Sequence, residues 1–380
     1  MQIILLLIPF FATIIFILLL QPVALKIGLI DHPVGRKQHK TPTPLVGGLA
    51  IFLALLLTLS LINVQFPNQI AFISAITLLV FVGAIDDYKH LSVKTRLAAQ
   101  IVASLIMTEV ADIKINDLGD LFLSGNINLG IFASAFTVFA VVGGINAFNM
   151  IDGLDGLCGG LTFASIMSIA VVAWLFEQPA LLDFCLIVMA TNFAFLLFNL
   201  RIFGRTSAKI FLGDAGSTLL GFTICWLAIY GSQIEHRIIT PTVVLWIIAL
   251  PVMDSVCIML RRVIRGYSPF SADREHLHHI LLLADYSVNQ TVSIIILYDL
   301  ILTTVGIIAS FLFNVPDAVL FILFLILFGI YYSKVLHDQR KRDRRVAERR
   351  VPPPILEGRE RRIQEKRRTN SDRRYTQKKK

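Results

Sequence analysis

The chain has 380 residues, 56% of them hydrophobic, and a formal charge of +9, with a mean hydropathy of +0.72. A soluble domain runs at about 45–50% apolar, so this composition excludes a soluble globular protein. The charge is unevenly divided: from Lys334 onward there are 19 Lys/Arg and 7 Asp/Glu, against 16 and 19 in the rest, so the body is slightly acidic and the tail basic.

Apolar runs near the roughly 20 residues that span a bilayer recur through residue 336. The expected fold is all-α, a polytopic integral membrane protein of about eleven transmembrane helices. The spans read 3–21, 45–64, 68–85, 97–110, 129–149, 157–176, 180–199, 210–230, 239–259, 292–313 and 315–335. The first run has no basic residues before it and no clear cleavage site, so it reads as a retained helix and not a signal peptide. Alternate connections carry 14 Lys/Arg, against only Lys114 and Arg237 on the other set. The positive-inside rule then puts the N-terminus outside and the C-terminus in the cytoplasm. Residues 1–336 form a multi-span catalytic domain in this reading, and 337–380 a basic, disordered cytoplasmic tail that contacts anionic lipid. Four cysteines lie in or beside apolar runs without C-x-x-C spacing, which fits buried inert thiols better than disulfides or metal ligands.

In chain order, the polar clusters at the span ends all fall on the cytoplasmic side. An ionised side chain at mid-bilayer costs at least about 2.5 kcal/mol, so a chain that gathers many at one face is building a polar site there. The first connection holds a basic loop with Lys40, followed by Gly47-Gly48. It is either an orientation signal or a phosphate contact. Asp86-Asp87 closes the third span, where two carboxylates oppose the helix dipole. They need compensation from a metal or from Lys89, Lys94 or Arg96. Asn146, Asn149, Asp152 and Asp155 recur every three residues and so fall near one helix face. Such an oxygen-rich surface suits a hard cation or sugar hydroxyls. Gly213-Asp214-Ala215-Gly216-Ser217 opens the eighth span. Glycines allow close backbone approach there, and Asp214 is an N-cap or a metal ligand. Arg261, Arg262 and Arg265 precede His276-Leu277-His278-His279. Three histidines raise zinc, but no cysteine sits beside them to complete a structural site. Anion contact or proton handling is the better reading.

Taken together, these motifs resemble the polyprenyl-phosphate N-acetylhexosamine-1-phosphate transferases. The resemblance covers residues 1 to about 336 and rests on Lys40 to Gly48, Asp86-Asp87 with Leu91 and Arg96, Asn146 to Gly160, Phe211 to Ser217, and Ser268 to His279. The histidine loop looks like the WecA branch, and less like the MraY branch with its run of three histidines. The resemblance implies transfer of GlcNAc-1-phosphate from UDP-GlcNAc to undecaprenyl phosphate with Mg2+, for which Mn2+ substitutes. The product would be undecaprenyl-diphosphate-GlcNAc, the first lipid-linked step of a cell-surface glycan such as O-antigen. It further implies Asp214 with Asn149 at the metal, and Asp86 and Asp87 at the reacting phosphates. Asp152 and Asp155 would line the nucleotide-sugar cleft, and His279 would join these carboxylates in catalysis. Lys40, Arg96, Asn146, Asn149, Arg265, His276 and His278 would bind substrate. Arg96 departs from the Lys common at that position in the family. A bacterial inner membrane location, a homodimer and no nucleic-acid partner complete the expectation. The alternatives are another UDP-HexNAc donor, or a proton-coupled transporter.

Overall fold

The computed structural model describes residues 2–32, 42–64, 66, 68–234, 237–268 and 276–350. Lys40 lies outside them. Contacts divide the chain into two units, Met1–Tyr332 and Ser333–Lys380. Within the described residues the structure is helical: α1 (Gln2–Ile27), α2 (Gly47–Leu61), α3 (Gln69–Lys89), α4 (Val93–Leu105), α5 (Ala133–Ile151), α6 (Leu157–Leu175), α7 (Pro179–Asn199), α8 (Gly213–Gln233), α9 (Pro241–Ile247), α10 (Ala249–Ile264), α11 (Leu277–Leu283), α12 (Val288–Phe311) and α13 (Asp317–Arg350). One short antiparallel pair, Ile30–Asp31 with Thr43–Pro44, precedes α2.

Eight of these helices are long and apolar enough to cross a membrane, or nine if α9 and α10 form one broken span. That is fewer than the eleven read from hydropathy. The run at 45–64 contains a helix of only 15 residues, α2. The run at 97–110 is the end of α4 followed by a single π turn over Ile106–Val110. Hydropathy counts apolar residues, and it does not register how many of them are helical. In the second unit, helical backbone runs on to Arg350, past the boundary at 336 where a disordered tail was expected. Residues 338–350 are mostly Arg, Lys, Asp, Glu, Gln and Ala, several of them strong helix formers. Residues 351–380 lie outside the described ones.

Helix α8 is the centre of the first unit, with 94% of its apolar window buried, and it packs against α2, α3, α5 and α6. Gly83 lets α3 approach it: a Cβ there would sit 2.5 Å from Ala215 Cα and 2.6 Å from its nitrogen. We expect Gly83→Ala to cost about 1–3 kcal/mol through overpacking. It should lower the Tm in detergent and reduce turnover further by moving α3 off α8; wild-type values for both would contradict this packing account.

The 83° bend between α9 and α10 has a cause in sequence. Pro251 has no N–H to donate to the Ile247 carbonyl four residues back, and its ring clashes with that carbonyl. Backbone groups freed inside a membrane must find other partners. Ser165 Oγ donates to Ile247 O at 3.1 Å, Thr303 Oγ1 donates to Trp246 O at 3.1 Å, and Asp299 Oδ1 accepts the Leu250 N–H at 3.2 Å. Helices α6 and α12 thus set the direction in which α10 leaves the break, and α10 carries one wall of the site.

Candidate active site

The ends of α3, α4, α5, α8, α10 and α11 enclose a cleft of about 300 Å³. Asp86, Arg96, Asn146, Asn149, Asp214, His276, His278 and His279, all singled out from sequence, line it together.

Asp86 is buried. Its carboxylate accepts the Leu91 N–H at 2.6 Å and Arg96 Nη1 at 3.0 Å. Asp214 is its neighbour across Arg96, whose Nη1 also stands 4.0 Å from Asp214 Oδ2. Two carboxyls that flank one arginine repel unless a proton or a further cation lies with them, so this pair is built to receive further positive charge.

Asp87 has a different role. It accepts the backbone N–H groups of Asp214 at 2.8 Å and Ala215 at 3.2 Å, so it caps the N-terminus of α8 from another helix. Gly213 makes this fit possible. It sits at φ +75°, and a Cβ there would lie 2.5 Å from Asp87 Oδ2. The compensation that the sequence demanded for the two carboxylates therefore comes from Arg96 for one and from helix-terminal amides for the other. Because Asp87 supplies the cap, the Asp214 side chain is released to face the cleft.

Asn149 Nδ2 donates to Asp214 Oδ1 at 2.7 Å and to Ser217 Oγ at 2.9 Å. Its amide nitrogen, and not its oxygen, faces Asp214, so in this arrangement it orients Asp214. Asn146 Nδ2 donates to Gln100 Oε1 at 2.7 Å and to the Val142 carbonyl at 2.8 Å. Gln100 was not foreseen; a lone amide in an apolar run has no motif around it.

Asp152 ends α5 and is half-buried. Burial, and then the charges of Asp214, Asp87 and Asp155, push its pKa up to about 8 from 3.8. A raised folded-state value means the folded protein holds this proton more tightly than the unfolded chain. The stabilisation is complete below about pH 4 and is lost as pH rises through about 8. The Tm of metal-free protein should fall across that window, and Asp152→Asn should flatten the fall; an unchanged slope would count against the assignment.

Asp155 does not reach the cleft. Arg201 Nε donates to it at 2.7 Å and the Ala208 N–H at 3.0 Å, so it pins the loop after α7 to the start of α6. The i+3 spacing failed here because α5 ends at Ile151 and the helical face does not continue. The glycine pair also differs from expectation. The Gly47 and Gly48 amides donate to the Phe211 and Leu212 carbonyls at 3.0 and 2.9 Å, which docks α2 on the entrance to α8. Arg265 is exposed beyond the end of α10, and Arg262, three residues earlier, lines the cleft instead.

The histidine wall is held from behind. His276 Nδ1 lies 2.7 Å from Asp254 Oδ2, while Asp254 Oδ1 accepts the Leu277 N–H at 3.0 Å and the Tyr331 hydroxyl at 2.6 Å. His278 stacks on His276 with ring centroids 5.4 Å apart. Burial, and then His279 and His276, hold its pKa down at about 3, so it is neutral. Asp254 and Tyr331 were missed. A lone Asp inside an apolar run was a signal, given its cost in a membrane, but Tyr331 carried none.

Among the described residues, no three His, Cys, Asp or Glu side chains form a cage for a metal ion. The donor set is an open one, two carboxyls that flank one arginine. It fits Mg2+, which takes one or two carboxylates and completes its shell with water and substrate phosphate. It does not fit structural zinc.

This architecture defines a class: a helical membrane protein whose carboxylates, amides and arginines meet in one cleft at the ends of its spans. Residues 69–232 match the model of glycosyl transferase family 4, and the chain belongs to that family. It is 38% identical over 322 residues to the undecaprenyl-phosphate alpha-N-acetylglucosaminyl 1-phosphate transferase of Escherichia coli (strain K12), covering 85% of this chain and 88% of that one. The proteins of the same name from Salmonella typhi, at 41% with the same coverage, and Haemophilus influenzae, at 32% over 88% of this chain and 94% of that one, are similar throughout the membrane body.

Proposed function

We propose that the protein transfers GlcNAc-1-phosphate from UDP-GlcNAc to undecaprenyl phosphate. The geometry that carries this reading is the pair of carboxyls, Asp86 and Asp214, flanking Arg96. It is a site for neutralising phosphates, in a cleft that also opens on Arg262 and the histidines. Donor and acceptor follow the names of the relatives.

An oxygen of the lipid phosphate attacks the β-phosphorus of UDP-GlcNAc. The bond from that phosphorus to the bridging oxygen breaks, and UMP leaves with the bridging oxygen and its electron pair. A phosphate monoester has a second pKa near 6, so the nucleophile is already largely a dianion at neutral pH and no strong base is required. The difficulty is the repulsion between anions. Arg96 and Arg262 supply fixed positive charge at the cleft, and the Asp87 cap holds the α8 terminus so that Asp214 keeps its place. Mg2+, held by Asp214 with Asp86, would supply Lewis-acid neutralisation of the diphosphate. One phosphoanhydride is exchanged for another, so ATP is not consumed. The cleft faces the cytoplasm of a bacterial inner membrane in this reading, in line with the basic connections around it.

The test is UMP release by purified protein given UDP-GlcNAc, undecaprenyl phosphate and magnesium. Release should require the lipid and stop with EDTA. Release only with another UDP-HexNAc would move the sugar assignment, and none with any UDP-HexNAc would reject the reading and favour a transporter.

A further inference from the structure

Asp254 lies on α10, buried among apolar side chains, and takes no direct part in the transfer described above. Three donors meet on it from two elements: His276 and the Leu277 N–H at the start of α11, and Tyr331 of α13. Two of these, the Leu277 N–H and the Tyr331 hydroxyl, occupy Oδ1. Oδ2 is left to His276, and with Asp254 a carboxylate the ring tautomer that fits carries its proton on Nδ1 and donates it. A histidine whose Nδ1–H is held by a carboxylate presents its Nε2 on the opposite side of the ring in a fixed orientation. His276 is one of the residues that line the cleft, so the cleft is where its free nitrogen can meet a ligand. The ring is also clamped in plane: His278 stacks on it at 9°.

We propose that Asp254, with Tyr331 closing on it from α13, is a positioning residue of the transfer reaction that fixes His276 so that its Nε2 meets a phosphate oxygen of the bound substrate. This rests on the sugar-1-phosphate transfer proposed above. The groups that share the space with His276 are Arg262 from α10, His278 and His279 from α11, Arg96 from α4 and the Asp86–Asp214 pair. Arg262 and Arg96 draw a phosphate into this corner. His276 adds a directional hydrogen bond that a freely rotating ring would not hold. The Asp254–Tyr331 contact also makes the histidine wall depend on α13, more than fifty residues further along the chain.

The test is a double-mutant cycle on kcat and KM for UDP-GlcNAc. Asp254→Asn turns an amide N–H toward His276 or Tyr331 and loses the fixed tautomer. It should lower kcat at least about tenfold with a smaller change in KM. In a His276→Gln background the same substitution should cost less than about threefold, because residues that act through one another are not additive. Tyr331→Phe removes a single oxygen and preserves the fold. It should show the same pattern with a smaller loss, and it carries the test if Asp254→Asn does not fold. Equal fold-losses in both backgrounds, or full activity of the single variants, would overturn the inference while leaving the transfer reading intact. A wild-type protein inert with every UDP-HexNAc would instead reject the transfer reading, and this inference with it.

Discussion

Asp214→Asn is expected to reduce lipid-dependent UMP release by about 10²–10³-fold, the loss seen when one preorganised electrostatic contact to a reacting group is removed. The substitution has two effects at the site. It removes one of the two carboxyls that flank Arg96, so the cleft loses the negative charge that recruits a cation. It also disturbs Asn149, whose amide nitrogen now donates to Asp214 Oδ1 at 2.7 Å; an amide at 214 satisfies it only in one flip. Turnover should become harder to restore with added magnesium, and the Tm should change little, because the backbone of α8 is capped by Asp87 and not by Asp214. Retention of activity within tenfold would contradict the placement of the cation at this residue.

Asp87→Asn is expected to be nearly as damaging, for a different reason. Both carboxylate oxygens of Asp87 are occupied by the first amides of α8. An asparagine offers one acceptor and turns its own N–H groups toward the other amide. It also removes the negative charge that complements the helix terminus. We expect the loss of a cap worth about 0.5–2 kcal/mol, displacement of Asp214, and a fall in activity of about a hundredfold. Both limbs of the pH–rate profile should survive at this lower level. Disappearance of one limb would show that Asp87 is the base of the reaction and that its cap is secondary.

These two residues show what the sequence conveyed and what it did not. Asp86, Asp87, Asn149 and Asp214 were legible as a site because ionised and amide groups at span ends are costly and clustered. Their division of labour was not, because the Asp87 contact with α8 joins positions more than a hundred residues apart. Asp155 read as equivalent to Asp152 from its spacing, yet the helix stops between Asn149 and Asp152, and Arg201 takes Asp155 out of the cleft. The arginine group was visible, but not that α10 ends at Ile264, which leaves Arg262 on the helix and Arg265 exposed beyond it. Asp254 and Tyr331 were single polar residues in apolar runs, and their meaning depends on α10 and α13 lying together. The break in the ninth apolar run had a local sign in Pro251, although the side chains that sustain it come from α6 and α12. The span count suffered where apolar length and helical length part, at α2 and at α4 with its π turn.

A proton-coupled transporter would thread carboxylates through the middle of the membrane. Asp86 and Asp214 instead gather with two arginines and three histidines around one cleft. The relatives covering 85–88% of the chain share a name for a transferase.

The most direct measurement uses UDP-GlcNAc carrying radioactive phosphorus in its β-phosphate, with undecaprenyl phosphate and purified protein. Sugar-1-phosphate transfer predicts that the label enters the lipid fraction together with the sugar, in equal amount, while unlabelled UMP is released. Label left on UDP while the sugar alone moves to the lipid would contradict the account.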